Sequence, residues 1–551
     1  MTARASAPAT QPSDDAGPDH IWAVLVPALI AILCYLPALR NGFALDDVII
    51  VANDGALHHL STLAAALARP YWYDVGHLYR PLTTLAFGLE WWAGRGTPVL
   101  FHAVNIAWHA GVSAMVARLA LRWWPAPVAL GAGLWFAIYP VHAEAVANIV
   151  GRSELVCGAA LIGLVLVATS PVLARGALQT AGPPVGRLTL WMAFALAIGA
   201  MGSKETGAVA PVLAWAAAIT PLPGNRRTAA IRHAQALRLA GAAAAGVGCL
   251  LAARWLILGT FAGDSPHYAF ELARGWSGTL VALATVPHAL ALMLVPQPPR
   301  LDYSPPDSAI LHPDPVLVLL GAAIVVACLA IAGRHVRRPA AWSFVACFAA
   351  LTYAPVSNLV VRSGVVVADR TLYSPSVAVA IAAGAGLMAA WTSRRWVVAG
   401  ATGAVAAMGL WFTVGSLSAW KDSPSAFEAI RERSPSSYLG HFTTAEVRDR
   451  ANDPLGAARE YAIAAALTPH NAAVLYMAAA NAIRLRDTTR ALGLLTRAVA
   501  LRPDGARTRT ALVGIELERG DTASARAQLR DGLVIDSTQR AWREELRKIG
   551  G

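Results

Sequence analysis

The sequence predicts an all-α protein in which a polytopic helical membrane domain precedes a soluble array of short helical hairpins. Of its 551 residues, 56% are hydrophobic and only 14% are charged, and the mean hydropathy is +0.49. A soluble domain typically carries about 25% charged residues. Long apolar runs fill residues 21–417, whereas residues 418–551 have an ordinary soluble composition. Because each crossing helix needs about 20 apolar residues, we predict a membrane domain over 21–417 and a separate soluble domain over 418–551.

The beginning of the chain does not have the pattern of a cleaved signal peptide. Residues 1–20 are polar and rich in Pro and Ala, and no small-residue cleavage site follows the apolar run 21–39. We therefore predict that residues 1–20 are a polar cytoplasmic N-terminus and that residues 21–39 form the first, uncleaved span.

Thirteen apolar segments are candidates for crossing the membrane. They lie near 21–39, 81–94, 101–121, 126–141, 154–171, 188–202, 205–220, 236–258, 276–296, 314–333, 340–356, 372–391 and 396–417. Two of them are weak candidates, because one is short and contains Glu90 and the other is interrupted by Pro287 and His288. These two segments are expected to lie at the interface or to re-enter the membrane.

The positions of the arginines favour this lower count of about eleven spans. If all thirteen segments crossed, the basic loop 221–238 would lie opposite the basic residues at 334–338 and 394–395. With eleven spans, all three basic stretches lie on the cytoplasmic side, as the positive-inside rule requires. The first of these loops carries Arg226, Arg227, Arg232 and Arg238. The same rule accounts for the formal charge of +12 without a nucleic-acid partner.

Cysteine usage excludes two classes of stabilising site. All five cysteines fall within or beside apolar segments, and no CxxC or Cys/His spacing occurs. The sequence therefore supports neither a disulfide framework nor a zinc site.

The tail from residue 418 contains an internal repeat. Pro435, Pro469 and Pro503 follow one another at intervals of 34 residues, and small residues recur in the same phase before them. A 34-residue period with small residues at helix contacts is the signature of tetratricopeptide (TPR) hairpins. Such hairpins stack into a concave surface that usually holds an extended peptide, so the tail is expected to bind an acceptor or partner protein. A generic Ala-rich helical bundle is the simpler alternative.

Polar and ionisable residues near the spans are costly and indicate function. With eleven spans, most of these groups face the outer side, in the first outer loop 40–100 and in later loops. They include Asp46, Asp47, Arg80, His102, His142, Glu144, Arg152, Lys204, Glu205, Asp302, Arg362, Asp369 and Arg370. A carboxylate can deprotonate an acceptor hydroxyl, and Arg or Lys can hold a phosphate leaving group. The combination suits transfer from a lipid-linked phosphosugar whose tail lies between helices.

Several motifs in register carry a resemblance to a known family. They are NGFALDDVIIVAND (41–54), YRPLTTLAF (79–87), FHAVNIAWHAGVSA (101–114), YPVHAEAVANIVGRSEL (139–155), SKETG (203–207), LDYS (301–304) and PVSNLVVRSGVVVADRTLYSPSV (355–377). With the repeat tail following, the chain resembles the transmembrane and tetratricopeptide-containing (TMTC) family of GT-C superfamily glycosyltransferases. The resemblance covers nearly the whole chain and implies a GT-C-like catalytic domain.

The resemblance also implies a reaction. It is an inverting transfer of a sugar, commonly mannose, from a polyprenyl phosphate to Ser or Thr of a protein. One of Asp46 and Asp47 would then be the catalytic base, with a slight preference for Asp47. The donor phosphate and substrate would be bound by Arg80, His102, His142, Glu144, Arg152, Lys204, Glu205, Arg362, Asp369 and Arg370. The family usually has Glu where this chain has Asp369, which alters the reach of that carboxyl. The tail has about three repeats and is shorter than in many relatives.

Each of these residues also has a purely structural interpretation. Asp46 and Asp47 could cap a loop helix, and Arg80 and Arg152 could anchor the chain at the membrane interface. His102 fits a hydrogen-bonding role inside the bundle better than a catalytic role. No cofactor is required, although the acidic pair could hold a divalent metal ion.

Three alternatives to a protein glycosyltransferase remain open from the sequence. They are a transferase that acts on a glycan or lipid, a non-catalytic membrane TPR scaffold, and a transporter, although paired inverted repeats are not evident. The excess of Arg over Lys and the abundant Ala indicate a GC-rich bacterial genome, hence the inner membrane.

Overall fold

The structure is a computed structural model that describes residues 18–72, 78–170, 185–224, 228–261 and 267–550. Within those ranges the secondary structure is helical, with no β-strand. Most of the predicted N-terminus (residues 1–17) and the residues Arg226 and Arg227 of the first basic loop lie outside these ranges. The predicted all-α class is confirmed.

Sixteen of the described α-helices lie in the first part of the chain. They are α1 Pro18–Tyr35, α2 Leu60–Leu67, α3 Pro81–Gly94, α4 Pro98–Ala120, α5 Ala126–Ile138, α6 Ala143–Ala147, α7 Arg152–Ala168, α8 Arg187–Ser203, α9 Ala210–Ile219, α10 Ala229–Leu258, α11 Tyr268–Leu272, α12 Trp276–Leu294, α13 Asp307–Leu311, α14 Pro315–Arg337, α15 Ala341–Tyr353 and α16 Ser376–Leu417. Arg394 has non-helical backbone angles that divide α16 into two arms, which correspond to two separately predicted spans.

Among the described residues, seven helices are long and apolar enough to cross a membrane. The count is eight if the pair Ala126–Ile138 and Pro140–Ala147, which is bent by 52°, forms one span. The described residues also form five shorter apolar helices: Ala472–Arg484 in the tail and, in the first part of the chain, Arg187–Ser203, Glu205–Ile219, Ala341–Val356 and Ser376–Trp391. The helix α3 belongs to neither group. The helix α12, in contrast, is long and apolar enough to cross, although its sequence was expected to make it a weak candidate for a span.

Two contacts join α12 to the segment between α15 and α16. Near its start, Thr279 accepts a hydrogen bond from Arg362 (3.0 Å). Near its end, Leu292 and Met293 pack against Leu372 in the same interhelical segment as Arg362. If α12 is left out, the candidate spans are the other six long helices, the bent pair and the four shorter apolar helices of the first part of the chain. These eleven segments are the set that the arginine distribution favours.

Contacts between interhelical segments define two ends of the bundle. At one end, here called the far end, Trp123 donates to the carbonyl of Pro221 (3.0 Å), and His335 contacts the carbonyl of Ala216 (3.1 Å). At the opposite end, here called the site end, the Asp46 loop meets the segments around Glu144 and Arg370. Both ends of α3 also lie at the site end, because Arg80 pairs with Glu205 and Glu90 pairs with Arg152.

Small residues allow the spans to approach closely. A Cβ atom added to Gly384 would lie 2.4 Å from the carbonyl oxygen of Val128, and one on Gly246 would lie 2.6 Å from that of Phe194. Contacts this short leave no room for a side chain. Close packing of this kind stabilises helices in a bilayer, where the hydrophobic effect does not drive one apolar helix against another.

The tail forms the predicted helical hairpins. Its helices are α17 Ser423–Arg433, α18 Tyr438–Arg450, α19 Pro454–Leu467, α20 Ala472–Arg484, α21 Thr488–Leu501, α22 Ala506–Glu518, α23 Thr522–Ile535 and α24 Arg540–Lys548. The repeat has a second marker: Asp453, Asp487 and Asp521 each accept a backbone N–H at the start of a helix. Such caps satisfy a donor that has no partner within the helix, and they recur with the same period as the prolines.

Candidate active site

The acidic pair lies in the loop that follows α1, but its two carboxyl groups have different surroundings. The side chain of Asp47 is buried and accepts hydrogen bonds from three backbone N–H groups. They belong to Val150 (2.9 Å), Ile149 (3.2 Å) and Ala44 (3.4 Å). Asp47 therefore joins the loop after α1 to the turn before α7.

Burial raises the pKa of the Asp47 carboxyl from its usual value near 4 to about 7, although the N–H groups of Val150, Ile149 and Ala44 favour the ionised form. Between about pH 4 and pH 7 the folded chain then holds a proton that the unfolded chain has released. The contribution of Asp47 to the free energy of unfolding must therefore fall as the pH rises through this window.

This pH dependence provides a test of the burial of Asp47. We expect wild-type protein to be stabilised relative to Asp47→Asn by a larger margin at pH 5 than at pH 7.5, because asparagine carries no proton that titrates there. Thermal unfolding of both proteins in detergent at the two pH values measures the margin. A margin that does not change with pH would contradict the assignment.

Asp46, in contrast, is partly open to solvent and faces a guanidinium group. Its side chain is 31% exposed, and its Oδ2 atom lies 3.5 Å from Nη1 of Arg370. The same guanidinium nitrogen lies 3.3 Å from Oε1 of Glu144, and the backbone N–H of Arg370 donates to Oε2 of Glu144 (2.9 Å). Two carboxylates from distant parts of the sequence thus share one arginine at the edge of the bundle.

Burial and Arg80 lower the pKa of Arg370, but the Glu144 and Asp46 carboxylates outweigh them, and the net shift is upward. Arg370 consequently remains a cation. Its side chain is 26% exposed, so it can meet an anionic ligand that enters from outside.

Two further basic side chains lie in this cluster. Arg80 donates to Glu205 through Nη2 (2.8 Å) and Nε (3.2 Å), and its guanidinium lies 5.0 Å from the ring centre of Tyr71. Lys204 is buried against the carboxylate of Glu154. Segments that follow α1, α2, α5, α8 and α15 therefore bring their charged residues together.

The structure places three other predicted ligands of the phosphate inside the protein. Arg152 is fully buried and donates to Glu90 (3.0 Å) and to the carbonyl of Phe101 (2.9 Å). The ring nitrogen Nε2 of His102 contacts the carbonyl of Gly42 (3.2 Å). The ring of His142 is bonded to the carbonyl of Phe136 and to Ser376, at 2.8 Å each. These contacts favour positioning roles for the three residues over direct binding of a phosphate.

Arg362 lies apart from the Asp46 cluster, whereas Asp369 is buried beside it, close to Glu144. Arg362 contacts Thr279 and the Phe270 ring, near the start of α12. Asp369 is buried, and its Oδ1 atom accepts a hydrogen bond from the hydroxyl of Tyr303 (2.8 Å). Burial, together with the nearby Glu144 carboxylate, raises the pKa of Asp369 well above its ordinary value. Within the described part of the chain its Oδ2 atom has no hydrogen-bond partner.

A metal-binding arrangement is not evident at the acidic pair. Over the residues that the structure describes, no group of three or more His, Cys, Asp or Glu side chains is placed to hold a metal ion.

The sequence interpretation did not include three residues that complete the site: Tyr71, Glu90 and Tyr303. Glu90 had been read only as an argument against a span, and Tyr303 only as part of a polar group beside Asp302. Each is the partner of a predicted site residue. A charge without an evident partner, such as Arg152, is the signal that could have directed the search to Glu90, because buried charges are paired.

Comparison with known proteins finds relatives for part of the chain. The protein O-mannosyl-transferase TMTC4 of Homo sapiens is 34% identical over 157 residues, which are 25% of this chain and 21% of that protein. TMTC3 of Homo sapiens is 33% identical over 22% of this chain and 14% of that protein. Tmtc1 of Drosophila melanogaster is 35% identical over 23% of this chain and 16% of that protein. The chain is thus similar to TMTC-family proteins, as the motifs predicted, and the aligned residues span about a fifth or less of each relative.

Two other comparisons add nothing about function. No protein-family model matches the chain. Among solved structures, the APC/C hetero-tetramer Cut9–Hcn1 aligns over 84% of this chain and 90% of that chain, with 13% identity and a TM-score of 0.22.

Proposed function

We propose that this protein transfers a mannosyl group from a polyprenyl-phosphate donor to a Ser or Thr hydroxyl of a protein, with inversion at the anomeric carbon. The observation that carries the proposal is the arrangement of Asp46, Arg370 and Glu144, with Arg80 and Lys204 beside it. A partly exposed carboxylate next to cations suits a reaction that removes a proton and releases a phosphate. The similarity to proteins named O-mannosyl-transferases supports the same activity.

Asp46 is the base in this proposal, in place of Asp47. The Asp46 carboxylate takes the proton of the acceptor hydroxyl, whose oxygen attacks the anomeric carbon of the sugar. The bond between that carbon and the phosphate oxygen breaks, and the polyprenyl phosphate leaves with the electron pair. Arg370 and Arg80 stabilise the charge on the departing phosphate through charge-assisted hydrogen bonds. Asp47, enclosed by three backbone donors, holds the loop in place.

The site is proposed to face the extracytoplasmic side of a bacterial inner membrane, with eleven crossings and the repeat array on the same side. We expect a cysteine introduced at Arg95, between α3 and α4, to react with an impermeant thiol reagent from the same side as one at Arg490 in the array. A cysteine at Arg337, at the far end, should react only from the other side. Opposite labelling of positions 95 and 490 would show an odd number of crossings between them, as expected if α12 also crosses.

Transfer by purified protein in liposomes tests the activity. The full chain is supplied with radiolabelled polyprenyl-phosphate mannose and a mixture of extracytoplasmic proteins. Label that is bound to protein and released by alkaline β-elimination is expected, because that chemistry cleaves sugars from Ser and Thr. Label in a glycan or lipid would identify the alternative acceptor classes. Absence of transfer from every polyprenyl-phosphate sugar would favour a non-catalytic scaffold.

A further inference from the structure

The repeat array is attached to the membrane domain at two places. The first attachment joins the loop that carries the acidic pair to the start of the array. The backbone N–H of Gly42 donates to the carbonyl of Lys421 (2.8 Å), and that of Leu45 donates to the Ser423 hydroxyl (2.9 Å). These contacts lie within five residues of Asp46.

The second attachment uses the segment 299–307, which lies between α12 and α13. The buried Asp307 carboxylate accepts hydrogen bonds from the backbone N–H and from Nδ1 of His470, each at 2.9 Å. Asp302 accepts from the hydroxyl of Ser437 through its carboxylate and from that of Ser434 through its carbonyl. The first hairpins of the array are therefore bonded to both ends of one short segment.

The middle of segment 299–307 is bonded to a residue beside the proposed reaction centre. Tyr303 stands between the two attachment residues, and its hydroxyl donates to Asp369. Asp369 directly precedes Arg370, whose backbone N–H is bonded to Glu144 and whose guanidinium lies beside Asp46. A continuous path of hydrogen bonds and backbone thus runs from the array to the proposed catalytic carboxylate.

We propose that segment 299–307 is a rigid link that holds the repeat array in one position relative to the reaction centre. Tyr303 is the positioning residue through which the link orients Asp369 and Arg370. The effect of Tyr303 on catalysis rests on the proposed function. The fixed position of the array relative to the membrane domain does not depend on whether the protein transfers a sugar. A protein segment bound to the array would then present its hydroxyl groups at a fixed distance from the array to Asp46. This arrangement favours acceptors that are extended chains.

The placement of the array can be measured without any sugar transfer. Spin labels at Ser277 in the membrane domain and Arg490 in the array, in a Cys249→Ala background, report one distance in the full chain. We expect a narrow distribution in the otherwise unaltered protein and a broad one in the double variant Ser437→Ala/His470→Ala. His441→Ala is the matched control, because His441 bonds to Glu460 within the array, and its distribution should stay narrow. A broad distribution in the unaltered protein, or a narrow one in the double variant, would overturn the rigid link.

The role of Tyr303 is measured by kinetics with a short acceptor peptide. Tyr303→Phe removes only the hydroxyl group, and with it the hydrogen bond that Tyr303 donates to Asp369. We expect kcat to fall about tenfold, with KM for the donor little changed. Tyr139→Phe is the control, because in the described part of the chain the Tyr139 hydroxyl has no hydrogen-bond partner. Equal kcat values for Tyr303→Phe and wild type would remove the positioning role. If wild type itself transfers no sugar, the proposed function fails while the distance measurement still decides the placement of the array.

Discussion

Replacing Asp46 with asparagine is expected to reduce sugar transfer by about 10²- to 10⁴-fold, the usual contribution of a general base. Asparagine keeps the size of the side chain but cannot accept the proton of the acceptor hydroxyl. Because Asp46 is 31% exposed and its contact with Arg370 is 3.5 Å long, its loss should change the stability little. Initial rates with labelled polyprenyl-phosphate mannose, together with thermal unfolding in detergent, measure both effects.

Two comparisons make this result specific. Asp504→Asn alters a largely exposed carboxylate in the repeat array and should keep wild-type activity. Asp47→Asn should lower stability, with a loss of activity that follows the loss of folded protein. If Asp47→Asn stayed folded and inactive while Asp46→Asn remained active, the base would be Asp47, as the sequence alone had favoured.

Replacing Glu90 with glutamine should destabilise the protein by about 3–5 kcal/mol, because it leaves the buried Arg152 guanidinium without its counter-charge. The side chain of Arg152 is 0% exposed and that of Glu90 is 12% exposed, so solvent cannot replace the lost carboxylate. Thermal unfolding in detergent should show a large fall in Tm.

The second substitution Arg152→Met tests the cause. The double variant Glu90→Gln/Arg152→Met removes both charges, so we expect it to regain most of the lost stability. Glu428→Gln breaks an exposed pair with Arg431 and should change the free energy of unfolding by no more than about 1 kcal/mol. If Arg152 instead bound the donor phosphate directly, Glu90→Gln would leave stability unchanged, and Arg152→Met would raise KM for the donor.

Much of the architecture followed from local composition. The segment 81–94 was predicted with the bounds that α3 has, and the 34-residue repeat was identified from Pro435, Pro469 and Pro503. The segment 276–296 was the harder case. The helix Trp276–Leu294 is long and apolar enough to cross, against the expectation from its sequence, and it contacts the segment 362–372 near both of its ends.

The candidate site was predicted as a set of charged residues but not as a set of pairs. The sequence treated Arg80, Arg152 and Arg362 alike, as cations near the outer side. In the structure Arg152 is buried against Glu90, Arg362 lies beside α12, and Arg80 remains near Arg370. Pairing depends on contacts between residues 62 to 125 positions apart, and no periodicity in the sequence encodes these contacts.

The sequence by itself determined that the chain is a helical membrane domain with a repeat array, because apolar length and a 34-residue period are local properties. It also determined that Asp46 and Asp47 stand together after the first span. Only the tertiary structure distinguished the two carboxyl groups by their exposure and contacts, which is why Asp46 is proposed as the base. Neighbouring residues in a chain have nearly the same sequence context, but their side chains point in different directions. Asp47 meets the backbone N–H groups of Ile149 and Val150, and Asp46 meets Arg370 and solvent.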